Sequence, residues 1–162
     1  DEVILHVFKP PAYFPMSQAI NKATTNNFIY EAETDIEIRQ APDSDVVEFL
    51  KQNPDVMYDL LRRVYLGIDS LLGKTVQLMS GTAKSRLLYE ICEETRRFGQ
   101  VNENGSITIQ ISEKELAARA GLSRETVSRE LHKIMGTNLT LSKNSLVIQN
   151  LDELKNLLHS IV

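Results

Sequence analysis

Residues 112–131, SEKELAARAGLSRETVSREL, constrain the fold more than any other stretch of this chain. Ser112 followed three residues later by Glu115 is a reciprocal capping pair, so a helix starts at Glu113. It runs to Ala120, and the small Ala117 lets a second helix pack closely. Gly121 supplies the turn and Leu122 fills the corner. Ser123 then caps a second helix beginning at Arg124. Two short helices joined by a glycine turn make a helix-turn-helix, in which the second helix is the one that enters a groove.

That second helix has two unlike faces. At about 100° per residue, Glu125, Ser128, Arg129 and His132 share an arc of roughly 100°, and Arg124 lies just beside it. Val127, Leu131 and Ile134 point the other way. Mixed charge on a helix usually means a solvated face with an internal ion pair. The sharper reading is base recognition, since Arg pairs bidentately with guanine and Glu accepts from the cytosine amino group. The surroundings favour the second. NLTLS and SLVIQ flank Lys143-Asn144 as a small hairpin, or wing, and Leu151–Leu158 closes the chain with a short helix.

Upstream lies a long helix of about residues 55–80. Met57, Leu61, Val64, Ile68, Leu71, Thr75 and Leu78 step by four and three, a heptad seam with one polar member. Leu60, Leu72, Val76 and Met79 form a second stripe, expected to face its own domain. The seam fits either a helix buried within one subunit or a homodimer contact, and the second stripe favours the dimer. Gly81 marks a domain boundary, followed by an amphipathic helix over 82–98 with Leu87, Leu88, Ile91 and Cys92 inward. NENG at 102–105 is a turn ahead of the strand SITIQ.

The front of the chain reads as β structure. VILHVF at 3–8 and FIYEAETDIEIR at 28–39 are strand-like, with Ile36 and Ile38 opposite Glu37 and Arg39. Pro10, Pro11 and Pro15 break the chain between them. Tyr13, Phe14, Phe28 and Tyr30 read as core, with a small apolar pocket as the alternative. Three or four strands leave open edges, so further strands are expected upstream of the sequence. Asp43 or Ser44 is expected to cap a short helix through Leu50. Residues 1–55 hold 4 Lys+Arg against 10 Asp+Glu, whereas 56–111 and 112–162 each hold 7 against 6. An acidic front and a mildly basic back suit a division of labour around a polyanion.

This arrangement resembles the Crp/Fnr family, most specifically in LSRETVSREL. The resemblance implies an α+β chain of three parts. Residues 1–54 would be the second half of a cyclic-nucleotide-binding-like jelly roll, 55–80 the dimerisation helix and 81–162 a winged helix-turn-helix domain. It implies base reading by Arg124, Glu125, Ser128 and Arg129, phosphate contacts from Ser123, Thr126, His132 and Lys143, and a TGA-containing half-site. Partners would be double-stranded DNA, a second copy of the chain and RNA polymerase. The family's cyclic-nucleotide cassette is not matched. Pro15-Met16 and Asn26-Asn27 stand where a Gly-Glu and an Arg-Ser or Arg-Thr pair would be, and Leu71 and Leu72 replace the adenine-contacting hydroxyl residues. Without the arginine, a cyclic phosphate loses a charge-assisted contact, so tight binding of cyclic AMP is not expected. Another small-molecule effector stays open.

Other chemistry finds no constellation. His6, His132 and His159 lack ligand spacing, and one cysteine cannot hold an iron–sulfur cluster or a disulfide framework. No phosphate-binding glycine loop, nucleophile triad or carboxylate pair marks an enzyme. With 42% hydrophobic and 25% charged residues and no apolar run of ~18, the composition is that of a cytoplasmic globular protein, without a membrane partner. The alternative function is a ligand- or partner-binding module that has lost specific DNA recognition.

Overall fold

The computed structural model describes residues 4, 6–22, 24–25, 28–134, 136 and 138–161. It divides into two compact units, Asp1–Val7 with Gly67–Val162, and Phe8–Leu66. The architecture is mixed helix and antiparallel sheet, as expected for the fold class.

The larger unit is built on α4 (Ala83–Phe98), which starts where the Thr82 hydroxyl accepts the Ser85 amide. Its neighbours are α5 (Glu113–Ala120), α6 (Arg124–Ile134) and α7 (Leu151–His159). A four-stranded antiparallel sheet runs in the order β1 (Gln100–Val101), β2 (Ile107–Gln110), β4 (Ser145–Ile148), β3 (Leu139–Leu141). Register sets Ile107 opposite Ile148 and Ile109 opposite Leu146, while Leu139 pairs with Ile148 from the other side. Leu87, Leu88, Ile91, Leu116, Val127 and Leu131 meet Ile109, Leu139, Leu146 and Ile148 in one core. Each such side chain, buried against water, is worth about 1.5–3 kcal/mol. The base of the wing is tied by Asn138. Its amide donates to the Asn150 carbonyl (3.0 Å), and its side-chain oxygen accepts the Asn150 amide (2.6 Å).

Helix α3 (Pro54–Ser80) opens on a proline at its first position, where no amide partner is needed. Its final turns meet α4 through polar groups, not through the apolar stripe read from the sequence. Lys74 pairs with Glu90 at 2.9 Å, Ser70 donates to Glu93 at 2.8 Å, and the Tyr89 hydroxyl donates to the Ser70 carbonyl at 2.9 Å. A Cβ on Gly73 would collide with the Tyr89 hydroxyl, so a larger residue there would have to push that side chain aside. Arg86 donates to the carbonyls of Gln77, Leu78 and Gly81, closing the end of α3. Leu72, Val76 and Met79 are exposed, and Leu60 is half-buried. The stripe expected to face its own domain therefore does not do so. With a polar contact occupying residues 70, 73, 74 and 77, no apolar surface is left there for it to meet.

The smaller unit holds α1 (Met16–Asn21) packed on α2 (Asp43–Gln52). Asp43 lies within the first turn of α2 instead of capping it, and Pro42 occupies the cap position. The described residues of 4–39 form no strand. The alternation of Ile36 and Ile38 names a face but no partner, and a strand without a neighbour leaves its backbone groups unpaired. Phe14 stacks on both Phe8 and Tyr30 at 5.2 Å, yet all three remain substantially exposed, as do Tyr13 and Phe28. The expected aromatic core is thus a surface cluster.

Candidate nucleic-acid interface

The helix pair forms as its local signals require. Ser112 accepts the Glu115 amide at 3.3 Å, and Glu115 accepts the Ser112 amide at 2.7 Å. The Ser112 hydroxyl also donates to that carboxylate at 2.6 Å, and the two bonds it accepts from Ser112 outweigh burial and hold the Glu115 carboxyl below its ordinary range. Gly121 adopts φ 62°, the left-handed conformation that ends α5. The Ser123 hydroxyl accepts the Thr126 amide at 3.2 Å and so caps α6.

Val127 and Leu131 are wholly buried, which fixes the rotation of α6. The opposite face carries Arg124, Glu125, Ser128, Arg129 and His132 along one open depression, together with Glu113 and Lys133. All four residues assigned to base reading are therefore brought together. Ser128 is half-buried and the other three are exposed. The Glu125 carboxyl is held below its ordinary range, first by its own backbone amide and then by the Ser123 hydroxyl, so it is an ionised acceptor. His132 Nδ1 lies 2.7 Å from the Ser128 carbonyl, which assigns the donor role to that nitrogen.

The residues assigned to phosphate are more dispersed. Ser123 and Thr126 share a hydroxyl–hydroxyl bond of 3.0 Å at the start of α6. His132 is exposed near the end of the helix. Lys143 is exposed in the turn between β3 and β4, and no hydrogen bond or ion pair among the described residues joins it to α6. Of the cassette positions, Pro15 and Met16 open α1, while Asn26 and Asn27 lie outside the described residues. Leu71 and Leu72 are exposed on α3.

Along α3, all seven seam positions from Met57 to Leu78 are exposed in the single chain. Leu78 also approaches the helix-turn-helix, since a Cβ on Gly121 would touch its side chain at 3.1 Å.

Sequence reasoning passed over four ion pairs in and behind the site. Glu113 reaches Arg124 Nε at 3.4 Å, and Glu130 reaches Arg129 Nε at 3.5 Å. Lys133 pairs with Glu130 at 2.8 Å, which with Arg129 keeps that carboxyl below its ordinary range. Arg119 forms a buried pair with Glu94 that joins α5 to α4. Only the three-residue spacing of Glu130 and Lys133 could have been read beforehand. Among the described residues, no group of His, Cys, Asp and Glu could hold a metal, and no helix is long and apolar enough to cross a membrane.

Residues 85–157 match the model of the Crp-like helix-turn-helix domain. No curated protein matches the chain. Several solved structures share its fold. A transcriptional regulator of the CRP/FNR family from Thermus thermophilus is 21% identical with a TM-score of 0.58, over 68% of this chain and 57% of that one. A CooA mutant from Carboxydothermus hydrogenoformans is 19% identical with a TM-score of 0.60, over 71% and 54%. FixK2 from Bradyrhizobium japonicum is 23% identical with a TM-score of 0.58, over 71% and 58%. The chain thus spans a little over half the length of these structures.

Proposed function

We propose that this chain, whose residues 85–157 match the model of the Crp-like helix-turn-helix domain, is a sequence-specific DNA-binding transcription regulator acting as a homodimer. One observation carries this reading. The exposed face of α6 gathers Arg124, Glu125, Ser128 and Arg129 on one depression while Val127 and Leu131 anchor the helix from behind. A helix held in that way can be pressed into a major groove without rotating. The two arginines suit guanine, and ionised Glu125 suits the cytosine amino group. Ser123, Thr126, His132 and Lys143 are assigned to phosphate, where they set register without reading sequence.

The exposed seam on α3 is assigned to the partner subunit. Two-fold symmetry then calls for an inverted repeat, with half-sites about one helical turn apart and TGA in each half. RNA polymerase is the further partner this role entails. Cyclic AMP is not assigned as effector, because Pro15-Met16 and Asn26-Asn27 supply neither the ribose acceptor nor the phosphate-binding arginine of the cassette. A different small molecule is the effector to look for.

The test is substitution of Arg124 and Arg129 together by Ala. Specific binding should vanish while the dimer and the helical content persist. Lys143→Ala should weaken binding to all duplexes alike and reduce the salt dependence by about one phosphate contact. Sequence preference surviving the double substitution would exclude α6 as the base-reading element.

A further inference from the structure

Both arginines assigned to base reading are held in the same way. Each has its Nε against a covered carboxylate, and each leaves its guanidinium outside. Glu113, at the start of α5, lies 3.4 Å from Arg124 Nε, with side-chain exposures of 20% for the acid and 70% for the arginine. Glu130 lies 3.5 Å from Arg129 Nε, with 9% against 62%. In both pairs the contact is made by Nε. No hydrogen bond or ion pair among the described residues takes a terminal nitrogen of either side chain. An isolated surface ion pair contributes little to stability. In these two pairs the acids are shielded and the cations are not, which is the arrangement of a support and not of a solvated pair. Glu130 is anchored in turn by Lys133 at 2.8 Å.

The geometry has a chemical consequence. An arginine can meet guanine side-on, through Nε and one terminal nitrogen, or end-on, through both terminal nitrogens. With Nε turned toward the carboxylate, the end-on fork is the side left facing the O6 and N7 acceptors. We infer that Glu113 and Glu130 are positioning residues, which hold Arg124 and Arg129 by Nε and present their end-on forks to guanine. Each guanidinium then loses less freedom on binding, so the gain goes to the correct base over the wrong one. The same carboxylates repel phosphate and weaken binding to any duplex. The two effects of removing an acid therefore have opposite signs, which a merely structural role would not produce.

This inference rests on the base-reading role proposed above, and the experiment separates the two. The full chain is titrated with the duplex it selects, with duplexes changed one base pair at a time, and with an unrelated duplex at fixed salt. Glu113→Gln should lower discrimination about 3- to 10-fold at the base pair that Arg124→Ala identifies, and leave other positions unchanged. Binding to the unrelated duplex should be equal or tighter. In an Arg124→Ala background, Glu113→Gln should have no further effect on discrimination. Glu130→Gln with Arg129→Ala forms an independent second cycle. Unchanged discrimination, or an equal loss with and without the arginine, would overturn the inference while the wild type's own preference upheld base reading. A wild type without any preference would overturn both.

Discussion

Lys74 Nζ lies 2.9 Å from the Glu90 carboxylate, joining the last turns of α3 to α4 through an ion pair that is mostly out of water. The pair sits where an apolar contact would be expected between two helices. Burial raises the Glu90 carboxyl above its ordinary value of 4.5, and Lys74 pulls it part of the way back.

Lys74→Ala should therefore destabilise the protein by about 3 kcal/mol at pH 7, because it leaves a buried carboxylate without its partner. A carboxyl raised in the folded state favours folding below its ordinary 4.5, and that stability is lost as pH rises through the folded value. The deficit of Lys74→Ala should thus shrink on acidification toward 4.5. Adding Glu90→Gln should restore most of it at neutral pH. Denaturant unfolding of the three variants at two pH values reads all of this, and a deficit independent of pH would separate the stability of this contact from the charge on Glu90.

Ile68→Glu places a charge in the middle of the α3 seam, where Ile68 is exposed in the single chain. It should leave the monomer's stability within about 0.5 kcal/mol, as for exposed positions generally. Sedimentation should nevertheless show the dimer replaced by monomer at micromolar concentration, since a buried unpaired charge is costly. An intact dimer would move the interface off this stripe.

Cys92 packs against the core and its thiol is pushed up to about 11, with burial as the main cause. The neutral thiol's contribution to stability is complete below its ordinary 9.0 and is lost as pH rises through about 11. Alkylation at about pH 8 should be slow in the folded protein and fast in denaturant, because the thiolate is the reacting form. Equal rates would show that Cys92 is reached without unfolding.

The parts legible in the sequence are those whose causes are local. Ser112 with Glu115, Gly121 and Ser123 mark their own boundaries within a few residues, so α5 and α6 lie where the caps put them. The face of α6 followed from angle alone. What could not be read depends on partners distant in the chain. Alternation at Ile36 and Ile38 names a face but not a neighbouring strand. Leu72, Val76 and Met79 looked like an inner stripe, yet α3 turns Ser70, Gly73 and Lys74 toward α4, and polar contacts leave no hydrophobic period to detect. Glu113 meets Arg124 across two helices, which no spacing rule reaches. The two-residue strand β1 is too short to carry a pattern.

The most direct test of base reading by α6 is selection of bound duplexes from a random pool by the full chain, followed by sequencing. The expected result is an inverted repeat with TGA in each half and half-site centres about 34 Å apart. Retention of duplexes without any two-fold motif, by protein shown to be folded and dimeric, would contradict it.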